Sequence, residues 1–174
     1  KIKKIDIKIS DPYLEKPKII DKRYYGLEGC WIDSSCNFLS LLDLLVPLKS
    51  CVVMKHTSRY DQTSKLPYEC KIYLKAEDVA INVSINWCKK KNEKVTVIES
   101  DQGLFEINHS KQTIYMNNQV IYRQDEIERL SAHYLNYFKW FDRTDKPNID
   151  TLTVHNIALS EWCNRRSKNG KKQS

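Results

Sequence analysis

Between Cys51 and Tyr122 the chain runs through seven short segments in which apolar and polar side chains alternate. They cover residues 51–59, 68–75, 79–87, 94–100, 104–108, 113–116 and 119–122. Val79, Ile81, Val83 and Ile85 show the pattern most clearly. A period of two is the mark of a strand with one buried face. The breaks are short and polar: Ala76-Glu77-Asp78, Asp101-Gln102-Gly103 and Asn117-Asn118. Such residues make tight turns, so neighbouring strands should run antiparallel. A meander of this length commits most of the chain to one sheet.

The flanks add helices. Residues 1–9 place Ile5, Ile7 and Ile9 on one side of a first strand, which Asp11-Pro12 ends. A loop with Pro17, Tyr24 and Tyr25 follows. Phe38, Leu41, Leu42 and Leu45 then fall on one helical stripe. Ser34 or Ser35 is suited to cap that helix and Pro47 to end it. Leu39 and Leu44 widen the stripe, so the helix should be nearly enclosed. Two closing helices are expected at residues 126–142 and 150–163. The first carries Ile127, Leu130, Tyr134, Phe138 and Phe141 on one side, and Asp150 caps the second. Strands followed by helices indicate an α+β fold: a large, mostly antiparallel sheet with helices packed on one face. Ile, Trp and Tyr residues on the strands lead us to expect the open face to be hidden by oligomerisation or domain packing. The expected division is one domain over residues 1–166 and a basic disordered tail over 167–174.

Composition narrows the function. A chain of 174 residues has room for one domain with a real core. Its four glycines form no GxGxxG or GxxxxGK[ST] loop. The net charge of +7 gathers partly at the ends, at Lys1, Lys3 and Lys4 and again at Arg165, Arg166, Lys168, Lys171 and Lys172. That makes nucleic acid a conceivable partner, with a lysine-rich surface as the plainer reading. No apolar run is long enough to span a membrane. Cys30, Cys36, Cys51, Cys70, Cys88 and Cys163 contain no CxxC pair. We therefore expect reduced thiols in a cytoplasmic protein, with no metal. The first residue is Lys, which points to an excised or cleaved piece of something longer.

The polar residues of interest surround the start of the first helix, in Gly29-Cys30-Trp31-Ile32-Asp33-Ser34-Ser35-Cys36-Asn37. A carboxylate at a helix mouth is stabilised by free amides and by the dipole, so Asp33 could be only a cap. It could equally line a pocket with Asn37, the one accepting hydrogen bonds and the other both donating and accepting them. His56, His109, His133 and His155 show no metal-ligand spacing and read as surface or packing residues. The aromatic group Tyr134, Tyr137, Phe138, Trp140 and Phe141 reads mainly as core.

Taken in order, these features resemble the C-terminal domain of the glucose-fructose oxidoreductase / inositol dehydrogenase / rhizopine-catabolism (Gfo/Idh/MocA) family. That family has a glycine cluster, a few apolar residues, then Asp-x-Gly-x-His at the start of a helix. Gly29, Asp33, Ser35 and Asn37 stand in those positions here. Residues 95–107 resemble the family's "isoleucine, short turn, glycine, new strand" segment, and residues 137–147 its closing pair. The resemblance implies a two-domain NAD- or NADP-dependent oxidoreductase acting on a sugar, polyol or nucleotide sugar. An N-terminal Rossmann domain, which this chain lacks, would hold the cofactor, and this chain alone should bind no cofactor and be inactive. It implies Asp33 as a catalytic residue, Asp33, Asn37 and Trp31 as substrate-binding residues, and a homo-oligomer formed through the sheet. The family histidine is replaced by Asn37, so a non-catalytic relative serving ligand binding or assembly is the alternative. Glu15-Lys16-Pro17 follows the first strand and is not the family's Glu-Lys-Pro.

Overall fold

A computed structural model of the chain describes residues 1–47, 50–88 and 90–125. The two closing helices, the basic tail, His133 and His155 lie outside the described residues. One sheet of eight strands dominates, in the order β10-β9-β8-β7-β1-β6-β5-β4. Its members are β1 (Ile2–Asp11), β4 (Cys51–Tyr60), β5 (Pro67–Ala76), β6 (Val79–Trp87), β7 (Glu93–Ser100), β8 (Gly103–Asn108), β9 (Thr113–Met116) and β10 (Gln119–Arg123). The periodicity locates every one of these strands to within two residues at either end. All neighbours are antiparallel except β1 and β6, which run parallel with Ile5 opposite Ile81 and Ile9 opposite Ile85. The first strand is therefore inserted at the centre of the sheet, between the two halves of the meander.

Helix α1 (Cys30–Leu45) packs across β5 and β6. The alternation explains the core. Ile5, Ile7 and Ile9, Cys70, Ile72 and Leu74, and Val79, Ile81, Val83, Ile85 and Trp87 are buried with Trp31, Phe38, Leu39 and Leu42 of the helix in one cluster. The register then sends Lys4, Asp6, Lys8, Lys71, Tyr73, Asn82, Glu93, Val95 and Glu106 to the other face.

On that second face the side chains are mostly polar, because the buried Ile and Trp residues of β1, β5 and β6 turn toward the helix. The open face holds a shallow groove of about 400 Å³. Lys4 Nζ lies 2.6 Å from Asp6, Lys8 Nζ 3.1 Å from Glu93, and Asn82 donates to Asp6 at 2.6 Å.

The helix differs from the expectation in two ways. It begins at Cys30, so Ser34 and Ser35 lie inside it and neither caps it. The N-cap is Gly29, at φ 94° and ψ 168°, a conformation that glycine reaches without steric cost. Leu44 is exposed, so among the described residues α1 is covered on one side rather than enclosed. The segment that reads as a loop folds into a small hairpin, β2 (Leu14–Lys16) with β3 (Ile19–Ile20), and a 3-10 helix (Lys22–Leu27). Asp61 anchors it. This fully buried carboxylate accepts from the Ile20 amide at 2.8 Å and from the Thr63 and Ser64 amides at 2.7 and 2.5 Å.

Candidate functional site

The site forms where the C-terminal end of β1, the start of β7 and the first turns of α1 meet. Antiparallel pairing sets Lys94 of β7 opposite Ile9 of β1. Lys94 Nζ lies 3.2 Å from Asp11 Oδ1, and the Asp11 side chain is almost wholly buried. The other oxygen of Asp11, Oδ2, is buried without a hydrogen-bond partner among the described residues. Such an oxygen is costly unless a ligand, a water or a proton meets it.

Asp33 sits in the first turn of α1, half-buried. Burial pushes its pKa up, and the nearby charge of Asp11 pushes it further. Lys94, the Trp87 indole and Ser34 pull the other way without prevailing. The Trp87 N–H is close enough to favour the charged form, but its geometry closes no hydrogen bond. The helix dipole also favours the anion at this end. Tyr13 shares the environment: burial, then Asp11 and Asp33, raise its pKa. Two carboxylates and one lysine thus meet at a partly covered point. The cluster accepts hydrogen bonds from hydroxyls well and would repel an anion.

Asn37 lies one helical turn beyond Asp33 and is exposed. It lines a cavity of about 210 Å³ with Phe38, Lys94, Thr96 and His109. His109 follows β8, and its amide donates to the Lys94 carbonyl at 2.8 Å. Its Nε2 lies 3.0 Å from Thr96 Oγ1. Burial and the Lys94 charge depress its pKa, so the ring is neutral near pH 7.

Two of the three expected site residues therefore border one region, joined by Lys94. Trp31 does not. It is 2% exposed and packed against Phe38 and His56, with ring centroids 5.4 and 5.8 Å apart. Its position two residues before Asp33 turns it into the core. Asp11, Lys94, Thr96 and His109 were not legible as site residues. The strands carrying them were recognisable, but their order in the sheet was not.

A second polar cluster lies under α1. The Sγ atoms of Cys30 and Cys70 are 3.5 Å apart, and both side chains are fully buried. Ser58 donates to Cys70 and contacts His56 Nε2 at 3.0 Å. Burial pushes the Cys30 thiol well up, while the hydrogen bond from Cys30 brings Cys70 down to about 6. No group of three or more metal-ligating side chains occurs among the described residues.

Solved structures share this architecture. D-galactose-1-dehydrogenase from Rhizobium etli superimposes with a TM-score of 0.65 at 15% identity, over 91% of this chain and 51% of that one. UDP-N-acetylglucosamine 3-dehydrogenase from Acidithiobacillus ferrooxidans gives 0.62 at 12%, over 91% and 52%. A 3-ketoreductase from Actinomadura kijaniata, solved with NADP, gives 0.61 at 10%, over 88% and 49%. The chain has a Gfo/Idh/MocA-type fold. It spans about half the length of these solved relatives. No family model matches the sequence, and no curated protein does. Within the Gfo/Idh/MocA-type fold, the large sheet and the helix opening at Gly29 are the parts that hold Asp33 in place. No helix among the described residues is long and apolar enough to cross a membrane.

Proposed function

We propose that the chain is the substrate-binding and oligomerisation domain of an NAD(P)-dependent oxidoreductase acting on a hydroxyl of a sugar, polyol or nucleotide sugar. One observation carries the reading. The architecture shared with sugar dehydrogenases over half their length bears, at the start of α1, a half-buried carboxylate, Asp33, near the Asp11–Lys94 pair, with Asn37 one turn further on at the edge of a cavity. Asp33 accepts the hydrogen bond of a substrate hydroxyl. Lys94 offsets part of the local negative charge, and Asn37 orients a neighbouring group. Free thiols at Cys30, Cys51, Cys70 and Cys88 suit the cytoplasm.

The described residues do not fit a dinucleotide. The space beside Gly29 is filled by Pro67, and Gly103 serves a hairpin against Asn117, so neither glycine opens a phosphate cradle. The cofactor therefore belongs to a partner Rossmann domain in the full-length protein, and this chain alone is inactive. The open sheet face, with its groove and charges of both signs, serves a second copy or that partner domain.

The full-length coding sequence provides the test. A strand followed by GxGxxG and a later Glu-Lys-Pro upstream of Lys1 is expected, with NAD(P)-linked turnover of a polyol. Their absence sinks the oxidoreductase reading. The replacement of the family histidine by Asn37 favours a second reading, a non-catalytic relative that binds the same ligands. It predicts ligand binding without turnover. Sedimentation of the chain at high concentration tests the sheet contact, and a strict monomer argues against it.

A further inference from the structure

Beneath the start of α1 two thiols face each other in the core. Cys30 is the first residue of α1 and Cys70 lies on β5. Their sulfurs are 3.5 Å apart, and neither side chain reaches solvent. A buried cysteine that only fills space behaves as a small hydrophobe and needs no polar company. Cys70 has three polar neighbours. The Cys30 thiol donates to it, Ser58 donates to it, and His56 acts on it by hydrogen bonding and by charge. Together they outweigh burial and favour the thiolate at Cys70, while burial keeps Cys30 protonated. The backbone fixes the geometry. Gly29, just ahead of Cys30, is pressed against Pro67, three residues before Cys70 on the same strand. A disulfide is about 2 Å long, so bonding the pair takes an approach of only about 1.5 Å.

We infer that Cys30 and Cys70 are a reversible redox pair: hydrogen peroxide converts the dithiol to a disulfide that fastens the first turn of α1 to β5. The inference stands apart from the oxidoreductase reading, since it needs neither substrate nor cofactor. Disulfides that form in a reducing compartment are typically of this transient, sensing kind. The Cys70 thiolate attacks one peroxide oxygen. An S–O bond forms, the O–O bond breaks, and the hydroxide released takes up the proton that Cys70 had given up. Cys30 then attacks the sulfenyl sulfur. The S–S bond forms, the S–O bond breaks, and the Cys30 proton leaves with the second hydroxide as water. Two thiols are oxidised and one peroxide is reduced to two waters. Access comes from the sheet edge. Ser58 stands opposite Cys70 on β4, the edge strand of the described sheet, and is only partly buried. The β4–β5 register breaks between Val53 and Lys55 and again between Arg59 and Tyr60, on either side of His56 and Ser58. A strand interrupted twice opens locally more readily than the centre of the sheet, and a small uncharged oxidant needs little room.

The test is peptide mapping of the reduced chain before and after treatment with hydrogen peroxide, with free thiols alkylated after unfolding. Treatment should yield a linked peptide joining Cys30 to Cys70, and dithiothreitol should restore both thiols. Trypsin leaves Cys30 and Cys36 on one piece, so fragmentation of the linked peptide assigns the bond. The link spans 40 positions of chain and should raise the melting temperature by roughly 5–15 °C, a gain that dithiothreitol removes. In Cys30→Ser, Cys70 should stop at the sulfenic acid and take up dimedone. The partly buried Cys51 and Cys88 serve as internal standards for the dose. Cys30 and Cys70 both still free once those two have reacted overturns the inference. So does Cys70 linked to any other cysteine, or a Cys30–Cys70 link that leaves the melting temperature unchanged. Absence of a dimedone adduct in Cys30→Ser overturns the assignment of Cys70 as the attacking sulfur.

Discussion

Gly29 decides where α1 starts, and replacing it with alanine should be costly for two separable reasons. At φ 94° and ψ 168° the backbone lies in a region essentially reserved for glycine, worth about 1–3 kcal/mol to any other residue. A Cβ there would also stand 2.4 Å from Pro67 Cδ, 2.5 Å from Cγ and 2.9 Å from the Pro67 carbonyl oxygen. Proline cannot swing aside as a lysine could, and the carbonyl is backbone. Relieving that overlap costs roughly another 1–3 kcal/mol. The sum is about 4 kcal/mol within a range of roughly 2–6, a large part of a normal domain's stability. For a chain of this size that corresponds to a melting temperature lower by roughly 8–16 °C. Urea denaturation followed by tryptophan fluorescence reads the loss directly. Gly26→Ala is the control, because a Cβ at Gly26 meets nothing within 4 Å. It should change stability by less than about 0.5 kcal/mol. A Gly29→Ala loss below about 1 kcal/mol, or equal losses in the two variants, would refute the reasoning.

Four further outcomes are expected. Asp61→Asn should destabilise the chain by about 2 kcal/mol at pH 7, since a charged acceptor of three amides is lost. Burial opposes the Asp61 charge but its hydrogen bonds lower the pKa overall, so its contribution is full above about pH 4 and is lost as pH falls through the folded value; a deficit that does not shrink as the pH is lowered below about 4 contradicts this. Asp33 has the opposite sign: its raised pKa means the folded state pays for the charge at neutral pH, so Asp33→Asn should raise the melting temperature at pH 7 and not below about pH 4. Full-length Asp33→Ala should lose turnover, and unchanged turnover would leave Asp33 a purely structural residue. Cys30→Ser should move the Cys70 thiolate transition, seen by ultraviolet absorbance, up from about 6 if the Cys30 thiol is its principal cause; an unmoved transition assigns the shift to Ser58 and His56 instead.

The strands were legible because burial on one face writes a period of two into the sequence, and the Asn117-Asn118 and Gly103 turns mark their ends. Two things were hidden. Periodicity says which residues share a face but not which face meets the helix, so the isoleucines of β1 and β6 could be assigned to a face needing cover when all of them lie under α1. It also says nothing of strand order. The insertion of β1 beside β7 brings Asp11 to Lys94, 83 positions later in the chain, and no local pattern encodes such a pairing. Asp33 and Asn37 could be found because they are close in sequence and stand where a helix begins. His109 could not, since its value depends on β7 and β8 carrying it back to the end of the sheet where β1 finishes.

The central place of β1 has a kinetic consequence. Its partners are β6, with Ile5 opposite Ile81, and β7, with Ile5 opposite Ile98. Strands β4 to β6 can pair as they are made, and so can β7 to β10, because each is joined to the next by a short turn. The two groups share no edge until β1 lies between them. Strand β1, although it precedes both groups in the sequence, is thus among the last that can find its place, and it closes loops of more than 70 residues when it does. Until then two unfinished sheets present open inner edges, each able to accept a foreign strand. Slow refolding that accelerates when β1 is added as a separate peptide, to a chain beginning after it, would be the signature of this arrangement. Asp11 lies at the end of β1, so Asp11 and Lys94 meet only when that strand is seated beside β7.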